Sequence, residues 1–116
     1  MLLRELELNI FGDRYELLIA AEAALIANIP IAHIHGGEIT EGAVDDAIRH
    51  CITKMSHIHF ATNESHCHRI IQMGEASEHV YEVGLIGSDN IVHMNYLSLS
   101  ELEDTLDFSL GEKFFW

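Results

Sequence analysis

The sequence predicts an α/β fold: a parallel sheet with right-handed crossovers and helices on both faces. Three observations carry that prediction. Short β-prone runs alternate with longer helical ones in β-α-β-α-β-α-β order. Apolar residues in the longer runs recur at helical spacing. Glycines, a proline and capping residues punctuate the joints between them.

Each element can be justified in order. "ELNIF" (residues 7–11) reads as a strand that ends at Gly12. From Tyr15 to Asn28, Leu17, Leu18, Ala21, Ala24 and Leu25 repeat at the spacing of one helical face. Pro30 stops that helix, and "IPIAHIH" is a strand running into Gly36-Gly37. A second helix runs from about Val44 to Ser56, with Ile48, Cys51, Ile52 and Met55 as its buried stripe. "HIHFAT" (residues 57–62) is the third strand, and "ESHCHRIIQMG" is a helix ending at Gly74. "HVYEVG" (residues 79–84) is the fourth strand. "GSDNIVHM" starts a short helix, and Ser98 with Glu101 makes a capping box for another through about Leu106. The closing "KFFW" resembles a strand cut off at its first residues, so the chain reads as a piece of something longer.

Composition narrows the function classes. The 116 residues suffice for one small domain, and 48% hydrophobic content fits a globular protein. A net charge of −13, with six lysines and arginines in all, argues against nucleic acid or an anionic membrane surface as partner. No apolar run reaches the roughly 18–20 residues needed to cross a bilayer. The longest, "LLIAAEAALIANIPIA", carries Glu22 and is broken at Pro30. Cys51 and Cys67 follow no CxxC pattern and read as reduced thiols, which with "MLLRELEL" as a poor signal peptide points to the cytoplasm.

The polar chemistry gathers at one edge of the predicted sheet. In open α/β sheets ligands bind beyond the carboxyl ends of the strands. Asp13, Arg14 and Glu16 follow the first strand, His35 and Glu38 the second, Thr62 to Glu64 the third, and Ser88-Asp89 the fourth. Asp13 and Glu16 stand at capping-box spacing, so a structural reading competes evenly with one in which Asp13 is an acid or base and Arg14 an anion-binding group. Asp45 and Asp46 open the second helix, where acids favour the macrodipole. They form i,i+4 pairs with Arg49 and His50. Their place just after Gly36-Gly37 adds a functional reading, since that pair permits a tight turn and close backbone approach to a ligand.

The histidines invite a metal reading that the spacing does not support. His33 and His35 alternate on one strand and share a face; His57 and His59 repeat the pattern. Imidazoles are good zinc ligands. HExxH is absent, however, and the second pair begins its strand while the first ends its own, which sets the pairs at opposite edges. Buried, hydrogen-bonded roles for His33, His57 and His59 are the expectation, with no metal and no cofactor. No serine occupies a nucleophile elbow, and Cys67 lies in an apolar helical pattern where a thiol behaves as a small hydrophobe.

Three blocks carry a resemblance: "GDRYE", "IPIAHIHGGEITEGAVDDAIRHCITKMSHIHFATNES" and "HVYEVGLIGSDNI". In order and spacing they resemble the hydrolysing UDP-N-acetylglucosamine 2-epimerases, in the bacterial branch that serves sialic and legionaminic-type acid synthesis. The resemblance runs from about Glu7 to the end. It implies two Rossmann-like domains in a glycosyltransferase-B-like arrangement with the active site between them. Residues 1–106 would then be the C-terminal half of the N-terminal domain, and residues 107–116 the start of the connection to the second.

The implied reaction is loss of UDP by elimination across C1 and C2, then hydration to an N-acetylmannosamine-type sugar, in a homo-oligomer that needs no metal or redox cofactor. The family motif implies catalytic acids at Asp13 and Asp45, with Asp46 beside it, and Arg14, Gly36, Gly37, Arg49 and Ser88 as substrate-binding groups. Many relatives carry a catalytic glutamate where this chain has His35. Either His35 takes that role, since imidazole titrates near neutrality, or Glu38 does. Two rivals stand beside this reading: a non-catalytic Rossmann-like module that binds nucleotide sugars, and an HxH metallohydrolase.

Overall fold

The computed structural model describes residues 7–107, so the closing "KFFW" expectation and most of the predicted connection lie outside the described residues. Four strands, β1 (Leu8–Phe11), β2 (Ile31–Ile34), β3 (Ile58–Ala61) and β4 (Val80–Glu82), pair in parallel in the order β1-β2-β3-β4. Three helices form the crossovers: α1 (Tyr15–Ile26), α2 (Val44–Met55) and α3 (Glu64–Gln72). This unit extends to Ile86; a second begins at Gly87 and contains α4 (Ser88–His93) and α5 (Leu99–Leu106). In α5 the expected capping box forms, with Ser98 Oγ accepting from the Glu101 amide and Glu101 accepting from the Ser98 amide.

Strand order decides where the helices go. When each strand is added on the same side of its predecessor, right-handed crossovers put every helix on one face. The crossover helices α1, α2 and α3 therefore share one face, whereas the alternating pattern predicts crossover helices on both. On the covered face Ile10, Ala21, Ala24, Ile31 and Ile52 form the buried core, with Leu17, Leu18, Ile48 and Met55 packed against it. The register aligns Ile10, His33, His59 and Val80 in a row across the sheet. The next row, Phe11, Ile34, Phe60 and Tyr81, must point to the opposite face because strand side chains alternate. Phe11 and Tyr81 are about half exposed there, at 56% and 48%.

Two predicted stripe residues fall elsewhere. Cys51 and Leu25 are exposed, and α2 instead buries Arg49, Ile52 and Thr53. The α2 stripe is thus rotated to include an arginine, which a hydrophobic pattern cannot announce. Cys67 is half-buried, and desolvation raises its thiol pKa.

Candidate active site

The first loop leaves β1 at Phe11 and turns at Gly12, whose φ of +88° is left-handed. Asp13 does not cap α1. The N-cap is Arg14, which offers no side-chain cap, and Glu16 turns back to bind Arg14 at 2.7 and 3.2 Å. That pair is exposed. Hydrogen bonding to Glu16 raises the Arg14 pKa, and Arg14 lowers that of Glu16. Asp13 is thereby free to reach across to α2, where it accepts from Arg49.

Arg49 organises this half of the cluster. Its side chain is only 6% exposed, and a buried guanidinium must be paired. Besides Asp13 it donates to Thr40 Oγ1 at 3.2 Å and faces Asp46 at 3.7 Å. Asp46 in turn accepts from the Thr40 amide at 3.0 Å and faces His50 Nε2 at 3.5 Å. The i,i+4 pair of Asp46 with His50 is therefore realised. Among the described residues the ion pairs of Arg49 are with Asp13 and Asp46, so the expected Asp45–Arg49 pair is replaced. Asp45, half-buried in the first turn of α2, adds to the field around Arg14.

The second loop breaks the strand alternation. β2 ends at Ile34, and His35 adopts φ +64°, a conformation unusual for a residue with a Cβ. His35 consequently leaves the face it would have shared with His33. Its ring lies 4.6 Å from that of Phe11, and its Nδ1 faces Glu38 Oε1 at 3.3 Å. The same carboxylate oxygen accepts from Thr62 Oγ1 at 3.3 Å, and Thr62 Oγ1 is 2.6 Å from His66 Nδ1. The glycines hold this loop against the protein itself. A Cβ on Gly36 would press on His33 and Thr53, and one on Gly37 would run into the His66 carbonyl oxygen. Arg69 donates to the Gly37 carbonyl from α3.

The interior histidines have structural partners. His33 is fully buried, with Nε2 2.9 Å from the Gly12 carbonyl and Nδ1 3.1 Å from Thr53 Oγ1. Desolvation pushes its pKa down to about 4. His59 is buried and faces Glu75 at 3.4 Å, and desolvation also lowers its pKa. His57, expected to be buried, is exposed, and its Nδ1 accepts from the Ile31 amide at 3.2 Å. The register puts His33 directly across from His59, so the two HxH pairs overlap at one level rather than standing at opposite edges. No group of three or more His, Cys, Asp or Glu side chains with metal-binding geometry occurs among the described residues.

Asp13, Asp46 and Arg49 thus form one cluster and His35 with Glu38 another, both at the carboxyl ends of the strands. Ser88 opens α4 in the second unit. Thr40, Thr62 and His66 complete the clusters and were not among the predicted site residues. Thr62 had one signal, its place just beyond β3; His66 had none. A groove between α1 and α2, lined by Leu18, Leu25, Ile26 and Met55, holds none of the predicted site residues. Carboxylates, an imidazole and a buried guanidinium at one edge can exchange protons with a ligand and stabilise developing charge.

Comparison with known proteins gives this cluster a context. Residues 8–114 match the family described as UDP-N-acetylglucosamine 2-epimerase. The chain is 43% identical over 106 residues to a Campylobacter jejuni GDP/UDP-N,N'-diacetylbacillosamine 2-epimerase (hydrolyzing), covering 91% of this chain and 28% of the relative. It is 48% identical over 83 residues to the Legionella pneumophila UDP-N,N'-diacetylbacillosamine 2-epimerase (hydrolyzing), covering 72% of this chain and 22% of that one. The crystal structure of Neisseria meningitidis UDP-GlcNAc 2-epimerase bound to UDP-GlcNAc superposes with a TM-score of 0.68 at 25% identity, over 72% of this chain and 24% of the other. The chain spans about a quarter of the length of these relatives. With residues 8–114 matched by that family's model, the chain belongs to the UDP-N-acetylglucosamine 2-epimerase family.

Proposed function

We propose that this chain supplies part of the catalytic half of a hydrolysing nucleotide-sugar 2-epimerase acting in sialic acid-type sugar biosynthesis. The observation that carries the reading is the convergence of Asp13, Asp46 and Arg49 from two separate βα segments onto one strand edge. The relatives' names supply the substrate class: a UDP- or GDP-linked N-acetyl sugar. In this reading a base removes the C2 proton while the C1–O bond to the diphosphate breaks, giving a glycal. Water then adds at C1, and a proton returns to C2 on the opposite face. Asp13, oriented by Arg49, and Asp45 with Asp46 are the carboxylates of this chemistry; His35 and Glu38 provide the group that relatives place at position 35.

The diphosphate needs cations that this edge largely lacks. The charge of Arg49 is already opposed by Asp13 and Asp46, and that of Arg14 by Glu16. The second domain of the two-domain arrangement supplies the remainder of the cleft in this proposal, including the water exclusion that elimination needs. The chain alone therefore does not turn over, and the half-exposed Phe11 and Tyr81 at the ends of its outer row favour self-association. The full-length enzyme is proposed to be a cytoplasmic homo-oligomer without a metal.

An assay for UDP or GDP release from several nucleotide sugars, with and without EDTA, tests this. Release by the full-length enzyme that is indifferent to EDTA is expected, with none from this chain alone. No release from any nucleotide sugar would favour the binding-module reading. Loss in EDTA with recovery in zinc would favour a metallohydrolase.

A further inference from the structure

His35 directly, and His66 of α3 through Thr62, converge on the Glu38 carboxylate, and the count of protons between them fixes more than their positions. Glu38 Oε1 accepts from Thr62 Oγ1, so the single hydroxyl proton of Thr62 is committed to the carboxylate. Thr62 Oγ1 then has only lone pairs to offer His66 Nδ1, 2.6 Å away. His66 must donate from Nδ1. On the other side, His35 Nδ1 faces the same Glu38 oxygen at 3.3 Å. A lone pair on Nδ1 would oppose the carboxylate charge, whereas a proton there is attracted to it.

From this geometry we infer that Glu38 is a positioning residue that holds both His35 and His66 as the Nδ1–H tautomer, so that His35 presents Nε2 as its basic nitrogen. The neighbouring structure supports a fixed ring at position 35. Its backbone is held at φ +64°, its ring packs on Phe11, and Gly37, two residues on, is held by Arg69 and lies tight against the His66 carbonyl. His35 Nε2 is buried and bonds to no other group among the described residues. Such a nitrogen carries an uncompensated lone pair, as a base awaiting a proton does. Thr62 and His66 act through Glu38 and are positioning residues as well. The tautomer of His66 follows from the hydrogen bonds of Thr62 and that of His35 from the facing carboxylate charge; their bearing on catalysis rests on the epimerase reading.

The test is ¹⁵N NMR of histidine-labelled protein at a pH where the imidazoles are neutral, with His35 and His66 assigned by single His→Gln substitutions. Wild type is expected to carry protons on Nδ1 of both rings. Glu38→Ala should return His35 to the Nε2–H form that free histidine favours. Thr62→Val should release His66 alone, and Thr62→Ser should restore it. An Nε2–H tautomer at either ring in folded wild-type protein, or a His35 tautomer unmoved by Glu38→Ala, overturns the inference. In the full-length enzyme Glu38→Ala should lower kcat on the order of 10- to 100-fold, the range for partners that orient an imidazole, with KM little changed. Tautomers as assigned but kcat unaltered would instead count against the epimerase reading and leave the Glu38 assignment standing.

Discussion

His33 and His35 are two residues apart, yet one belongs to the interior of the sheet and the other to its carboxyl edge. His33 keeps extended backbone and is sealed between the Gly12 carbonyl and Thr53 beneath α2. His35 turns left-handed and lies against Phe11 and Glu38. The interior site spends its polar atoms on the protein, and burial keeps the ring neutral. The edge site leaves one nitrogen without a partner. Identical side chains are divided by a single backbone angle into a structural role and a candidate chemical one.

The largest expected effect sharpens that division at the edge. In the full-length enzyme Asp13→Asn and Asp45→Asn should each lower turnover by about 10²–10⁴-fold with the fold unchanged by circular dichroism. Near-normal rates from both folded variants would make the edge carboxylates structural, as the interior histidines are.

The interior should answer to acid. The folded pKa of His33 lies below that of the unfolded chain, so protons bind preferentially to the unfolded state. The stability from keeping His33 neutral is fully present above about pH 6.5 and is lost as pH falls toward 4, a change on the order of 3 kcal/mol. Burial of His59 acts in the same direction. Urea unfolding across this range should show the decline, and His33→Gln should flatten it; equal slopes in the two proteins would remove His33 from the account.

Gly37→Ala probes the joint between the regions. The added methyl meets the His66 carbonyl, and φ is +78°. A loss of roughly 1–3 kcal/mol is expected, the usual range for overpacking. An unchanged urea midpoint would show that the loop moves off α3 easily. Arg14→Ala, at the exposed end of the same edge, should leave stability unchanged, because its ion pair with Glu16 is in solvent. A measurable shift of the midpoint would mean that Arg14 is tied to the edge cluster more firmly than its exposure indicates.

These contrasts also mark what the sequence could disclose. Strand and helix positions were legible because period-two and helical spacings are local, and the β-α order gave the parallel sheet. The edge location of Asp13, Asp45, Asp46, His35 and Glu38 followed from their places after strands. The capping role of Asp13 was a plausible local alternative that lost to Arg49, 36 residues away. His66 was invisible because its tie to Thr62 acquires meaning only when β3 brings Thr62 beside Glu38. The placement of α1, α2 and α3 on a single face was missed because alternation fixes element type but not strand order.

In the proposed function the strand edge performs proton transfer at C2 of a nucleotide sugar. Turnover by the full-length enzyme in deuterium oxide, read by mass and NMR of the released sugar, tests it most directly. Removal of the C2 proton and its return from solvent predict one deuterium at C2 of the product with inverted configuration, and Asp13→Asn should slow its appearance together with release of the nucleotide. A product that keeps its original hydrogen at C2 would contradict the account.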